Sequence, residues 1–153
     1  MARKIFIKKR FPQRDFIYDH LLVSLLISRI LKKGKKRLAK RIFSLTLQLI
    51  ELKTEQNPIS LVEKAIRNIS PRVQLKSKRL RGATVQIPTA ITRFRSTKIA
   101  VCWIVDLARK RSGKAMAVKL ASEFLEAAKG VGNAIRKKEE THKMAESNKA
   151  FAR

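Results

Sequence analysis

The chain has 153 residues, enough for one domain with its own hydrophobic core. Its 37 Lys and Arg against 11 Asp and Glu leave a net charge of +26, while hydrophobic residues stay at an ordinary 44%. One cysteine and two distant histidines exclude an intrachain disulfide and a four-ligand zinc site, and the one-sided charge calls for a polyanionic partner.

Residues 1–14 carry Arg3, Lys4, Lys8, Lys9, Arg10 and Arg14 without an acid, as an interaction arm does. The N-terminus lacks the apolar core of a signal peptide. The domain is expected over 15–153. A broad apolar helix is expected from Asp15 to Leu31, with Phe16, Leu22, Leu25, Leu26 and Ile30 on its buried face and Gly34 as its stop. Its longest apolar run, Leu21 to Ser28, is far short of a membrane span. Lys35 to Lys53 reads as a second helix that buries Leu38, Ile42, Leu45, Leu49 and Leu52 and turns Arg37, Lys40, Arg41, Ser44 and Gln48 outwards. Asn57 and Pro58 suit the start of a third, which buries Val62, Ala65, Ile66 and Ile69 and ends before Pro71.

Residues 72–88 alternate apolar and polar around Arg81-Gly82-Ala83, so a β-hairpin is expected, with Pro88 ending its second strand or marking it as an edge. A fourth helix is expected from Ser96 or Thr97 to Arg111, burying Ala100, Trp103, Ile104 and Leu107. A fifth starts at Ser112 and buries Ala117, Leu120, Ala121, Phe124 and Ala128. A polar sixth runs from Asn133 to Ala150 across the body. The fold class is therefore mainly α: a single-domain bundle of about six helices with an inserted β-hairpin arm.

Acids are absent from His20 to Ile50 and again from Lys64 to Val105. The second stretch holds Lys64, Arg67, Arg72, Lys76, Lys78, Arg79, Arg81, Arg93, Arg95 and Lys98. A surface built only for solubility would intersperse the signs. The charge spreads over an arm, a hairpin and several helix ends, unlike the single amphipathic helix of a membrane-surface protein. No helix offers the base-reading face of a major-groove binder. RNA, recognised through its shape and phosphates, fits best, and an aromatic-free hairpin leaves base stacking a minor part. A DNA-compacting protein and an RNA-modifying enzyme are the competing classes.

Trp103 sits on an apolar helix face, where a core role is favoured over stacking on a base. Cys102 beside it reads as a small buried hydrophobe, and His142 as a surface residue. Gly130-Val131-Gly132 lacks phosphate-loop spacing and reads as a helix–helix turn. No carboxylate pair or nucleophile–base set supports catalysis, and no metal or cofactor is expected.

Four stretches are recognisable together. They are Ser70-Pro71-Arg72-Val73-Gln74-Leu75-Lys76-Ser77-Lys78-Arg79, Val85-Gln86-Ile87-Pro88, Trp103-Ile104-Val105 leading to Ala108-Arg109-Lys110-Arg111, and Met144-Ala145-Glu146-Ser147-Asn148-Lys149-Ala150-Phe151-Ala152. They resemble the small-subunit ribosomal protein seven family of bacterial and organellar type. The resemblance implies a six-helix body with a β-ribbon, binding to the 3′ major domain of small-subunit rRNA, and organisation of the subunit head. It places the ribbon near exit-site tRNA and the mRNA exit path, beside ribosomal protein eleven and other head proteins. No membrane or small-molecule substrate enters. Carried onto this chain, rRNA contacts fall on Arg3, Lys4, Lys8, Lys9 and Arg10 in the arm and on Lys33, Lys35, Lys36 and Arg37 at a helix junction. They continue at Arg72, Lys76, Arg93, Arg95, Arg109, Arg111 and Lys114, and at Arg136, Lys137 and Lys138 on the last helix. Lys78, Arg79, Arg81 and Gly82 form the tip that faces tRNA and mRNA. Many members have two glycines where this chain has Arg81-Gly82. The short end at Arg153 and the Lys/Ile-rich composition resemble plastid-encoded members, so the chloroplast stroma is favoured over a bacterial cytoplasm.

Overall fold

A computed structural model describes residues 12–80, 82–113 and 115–151. Six helices form the body: α1 (Leu21–Ile30), α2 (Lys36–Thr54), α3 (Pro58–Ile69), α4 (Arg93–Lys110), α5 (Met116–Ala128) and α6 (Asn133–Ser147). A two-stranded antiparallel ribbon, β1 (Val73–Leu80) and β2 (Ala83–Ala90), stands between α3 and α4, and a 3₁₀ turn, Lys149–Phe151, follows α6. The mainly α class and the inserted hairpin match the sequence reading. Helix α5 is central, packing on α2, α3, α4 and α6. Its Leu120, Ala121, Phe124 and Ala127 meet Phe43 and Ile50 of α2, Ala65 and Ile69 of α3, and Ala100, Ile104 and Ala108 of α4 in one core. The small alanines let these helices approach closely while the large side chains fill the space between them. No described helix is long and apolar enough to cross a membrane.

Several expectations are corrected. Helix α1 starts at Leu21, not Asp15. The Asp15 carboxylate accepts a hydrogen bond from the Ile17 N–H at 3.2 Å and lies 3.4 Å from Lys40 Nζ, so it closes a local turn that competes with helix. Asp19 follows with φ +43°, and Phe16 is left 98% exposed instead of buried. On α2 the buried residues are Ala39, Phe43, Thr46, Leu47 and Ile50. The leucine stripe lies beside that face: Ile42 and Leu49 flank the core, while Leu38 is 52%, Leu45 43% and Leu52 80% exposed. Counting leucines missed Thr46, whose hydroxyl donates to the Ile42 carbonyl at 2.8 Å and so loses its penalty for burial.

Helix α4 starts at Arg93 rather than Ser96, and Thr97 bonds back to the Arg93 carbonyl instead of capping. Helix α5 starts at Met116 rather than Ser112, because Gly113 takes φ +119°, outside helical space. Trp103, Leu107 and Ala128 border the core, partly buried. The last helix ends at Ser147, and Ala150 lies in the 3₁₀ turn that follows. Pro88 lies inside β2, opposite Leu75, so of the two expectations it marks an edge strand rather than ending it. Both strands of a two-stranded ribbon are edges, so a missing N–H is tolerated there.

The ribbon meets the body at its root. β1 meets α6, and β2 meets the 3₁₀ turn, while Lys76, Ser77, Lys78 and Arg79 are exposed. Gly82, with φ +89°, makes the tip. The root is fastened to α4 by Ser96, whose buried Oγ donates to the Pro71 carbonyl at 2.6 Å. Ser96→Ala strands that carbonyl and should cost about 1–2 kcal/mol. Urea unfolding measures it, and an unchanged midpoint would show that the bond contributes nothing.

Candidate nucleic-acid interface

Helix N-termini carry partial positive charge and favour acids in the first turn. None of the six helices has one there. Helix α2 instead opens with Lys36 and Arg37, and α4 with Arg93 and Arg95. Neither Lys35 nor Thr92, at their N-cap positions, makes a side-chain cap. Each such cation at a helix start costs roughly 0.3–1 kcal/mol and leaves backbone N–H groups facing outwards. An anion held by those amides and side chains reverses the penalty.

The acids do not neutralise this surface. Among the described residues, Asp106 pairs with Arg29 at 2.6 Å and with Arg109 at 3.4 Å, and Asp19 with Arg14 at 3.3 Å. Hydrogen bonding to Asp106 raises the Arg29 pKa further above its usual value. Glu123, only 1% exposed, and Glu126 both hold Arg111. Burial pushes the Glu123 carboxyl above the usual carboxylate range, and Arg111 partly opposes that. The bond to Glu126 is the largest cause of a raised Arg111 pKa. Arg29 with Asp106, and Arg111 with its two glutamates, join elements of the body, and the cations of the chain far outnumber the acids left over.

Cations line concavities in two regions. In the first, Lys32, Lys33 and Lys35 of the α1–α2 turn meet Arg109 around a concavity of about 360 Å³, floored by Leu38, Ala39, Ile42 and Met116. The turn forms because Lys33 and Gly34 both take positive φ, +50° and +73°. The second surrounds the ribbon root. Arg67, Arg72 and Arg93 line a groove of about 460 Å³ whose one acid, Glu63, lies 2.7 Å from His20 Nε2. Next to it, Arg95 and Lys98 line one of about 370 Å³, and Pro71 borders both. Arg95 Nε donates to Gln74 Oε1 of β1 at 2.8 Å, which fixes the guanidinium against the ribbon. Lys98 Nζ lies 4.7 Å from the Phe94 ring centroid.

The expected contact residues divide accordingly. Lys33, Lys35, Lys36, Arg37, Arg72, Lys76, Lys78, Arg79, Arg93, Arg95 and Arg136 are exposed. Three others are held by the protein. Arg109 Nη2 donates to the Arg29 carbonyl at 2.9 Å, at the end of α1. Arg111 joins α5 as above, and Lys138 Nζ donates to the Asn68 carbonyl at 2.6 Å. Lys137 Nζ sits 5.5 Å from the Trp103 ring centroid. Arg3, Lys4, Lys8, Lys9, Arg10, Arg81 and Lys114 lie outside the described residues. The sequence reading gave no role to Arg67 or Lys98, although the acid-free stretch from Lys64 to Val105 contains both.

His142 is not a plain surface residue. Its Nε2 accepts the Arg72 N–H at 3.2 Å, tying α6 to the ribbon root. Burial, then the charges of Lys138 and Arg72, lower its pKa below 6.5, against a smaller opposite pull from Glu146. The unfolded chain therefore binds the proton first. The stability from neutral His142 is complete above pH 6.5 and declines as pH falls below it. His142→Ala should flatten the pH dependence of thermal unfolding in that acidic window; an unchanged slope would contradict this. The Gly130–Gly132 segment is a helix–helix turn, as expected, with φ +79° and +101° at its glycines. A Cβ at Gly132 would come within 2.9 Å of the Glu126 carboxylate.

The family model described as ribosomal protein S7p/S5e matches residues 1–149. The small ribosomal subunit protein uS7c of Trieres chinensis is 47% identical over 144 residues, which cover 94% of this chain and 91% of that protein. The chain belongs to the ribosomal protein S7p/S5e family and is a structural constituent of the small ribosomal subunit, not an enzyme.

Proposed function

We propose that the protein binds the 3′ major domain of small-subunit rRNA and organises assembly of the subunit head in the chloroplast. The observation that carries this reading is the convergence of Arg67, Arg72, Arg93, Arg95 and Lys98 on one ribbon root. RNA segments that meet at a junction repel one another, and cations fixed on a rigid helical body hold them together. Lys33, Lys35, Lys36 and Arg37 form a second contact on the body, and the arm over residues 1–14 adds a third. The ribbon has a separate task. Its exposed Lys76, Lys78 and Arg79 stand away from the core, suited to exit-site tRNA, the mRNA exit path and a neighbour of the ribosomal protein eleven type. Likeness to the chloroplast-type protein of Trieres chinensis supports the plastid location.

Sedimentation tests the reading. The protein should travel with chloroplast small subunits through a high-salt gradient and should protect 3′ major domain nucleotides from chemical probes. Protection confined to another rRNA domain would contradict it.

A further inference from the structure

Trp103 is the single tryptophan of the chain and Cys102 its single cysteine. Both line the 370 Å³ concavity between β1, α4 and α6. A tryptophan that completes a core normally has its indole N–H bonded. Trp103 packs against the core but is only partly buried. Among the described residues no protein acceptor meets its N–H, and that nitrogen is not sealed from solvent. Pro71, Val73 and Ile99 extend an apolar wall beside it, while Arg95 and Lys98 stand at the rim. Lys137 Nζ over the ring adds a third cation, and none of the lining residues is an acid.

A flat aromatic face, an unused N–H donor and a cationic rim match one nucleotide. We propose that this concavity receives a single unpaired nucleotide of the bound RNA. Its base lies on the Trp103 indole, and its phosphate meets Arg95 and Lys98. The volume lies within the usual range of small-ligand sites, about 300–1,000 Å³. Lys137 has a flexible stem and moves from the ring to the incoming phosphate. The inference rests on the rRNA-binding reading and deepens it: the body recognises one extruded base as well as backbone charge.

The lone tryptophan and lone cysteine make the full chain its own reporter. Titration with a small-subunit rRNA transcript should quench Trp103 emission and protect Cys102 from alkylation. A single-stranded RNA oligonucleotide should give both changes and its duplex form neither. Trp103→Leu should weaken oligonucleotide binding roughly tenfold, the loss of one stacked base, and Trp103→Phe should restore most of it. If the leucine variant fails to fold, the two wild-type signals decide. Transcript binding with neither signal would overturn the nucleotide site and leave the rRNA reading standing. No transcript binding at all would overturn the rRNA reading itself. Equal signals from duplex RNA, or signals only from an acidic peptide, would also overturn the site, the latter assigning it to a protein partner.

Discussion

Reversing Arg93 and Arg95 together to glutamate should lower affinity for small-subunit rRNA by about 30- to 1,000-fold, which corresponds to roughly 2–4 kcal/mol. Both side chains are exposed at the start of α4, and each lines a separate groove at the ribbon root. The substitution has an unusual advantage. Glutamate in a first helical turn is favoured by the helix dipole, so the folded state should be as stable as wild type or more so. A loss of binding then cannot be blamed on unfolding. Reversing Lys78 and Arg79 on the ribbon should spare assembly and disturb tRNA or mRNA handling. Filter binding and subunit reconstitution read both pairs. Equal assembly defects would refute the division of labour between body and ribbon.

The largest stability effect is expected at Arg111. Its guanidinium spans Glu123, with Nε 2.9 Å from Oε1, and Glu126, so it ties the end of α4 to the middle of α5. The second oxygen of Glu123 is buried without a partner, so this carboxylate depends on Arg111. Arg111→Ala leaves it uncompensated and should cost about 3 kcal/mol, a drop in Tm of roughly 6–12 °C for a domain of this size. The variant should also gain pH dependence. A buried carboxyl whose folded pKa is raised binds its proton more tightly in the folded state. Its stability is complete below the unfolded value and is lost as pH rises through the folded one. Arg111→Ala should therefore be least stable at neutral pH, and adding Glu123→Gln should remove that trend. A loss under about 0.5 kcal/mol would mean that the pair is not structural.

Arg95 and Arg111 mark the boundary of what the sequence discloses. Six helices, a basic ribbon and an RNA partner follow from periodicity, turn residues and the missing acids, all of which are local along the chain. The different work of Arg95 and Arg111 is not local. Both lie among neighbouring basic residues, yet Arg111 meets acids 12 and 15 positions away, whereas Arg95 meets only the neutral Gln74. Which cation faces RNA depends on which acids the fold brings beside it. The same holds for α2. Its leucines at 38, 45 and 52 repeat as regularly as its buried positions, and only packing against α1, α3 and α5 selects Phe43, Leu47 and Ile50. Helix starts were misplaced for a related reason. Ser96 and Thr97 look like caps in sequence, but their side chains bond elsewhere, and the Asp15 carboxylate closes a turn short of the helix.

Trp103 shows how one word, apolar, conceals two roles. Its spacing on α4 is that of a core residue, and it packs against the core while staying partly exposed. It also lines the concavity that Arg95 and Lys98 border, and Lys137 Nζ sits 5.5 Å from its ring centroid.

The central claim is that a folded body clamps rRNA through fixed positive charge. The most direct test is the salt dependence of binding between the full chain and a small-subunit rRNA transcript, with duplex DNA as competitor. Affinity should fall by about a thousandfold or more between about 50 and 200 mM salt, the signature of about six or more phosphate contacts, and duplex DNA should compete poorly. A shallow salt dependence, or equal competition by DNA, would contradict the claim.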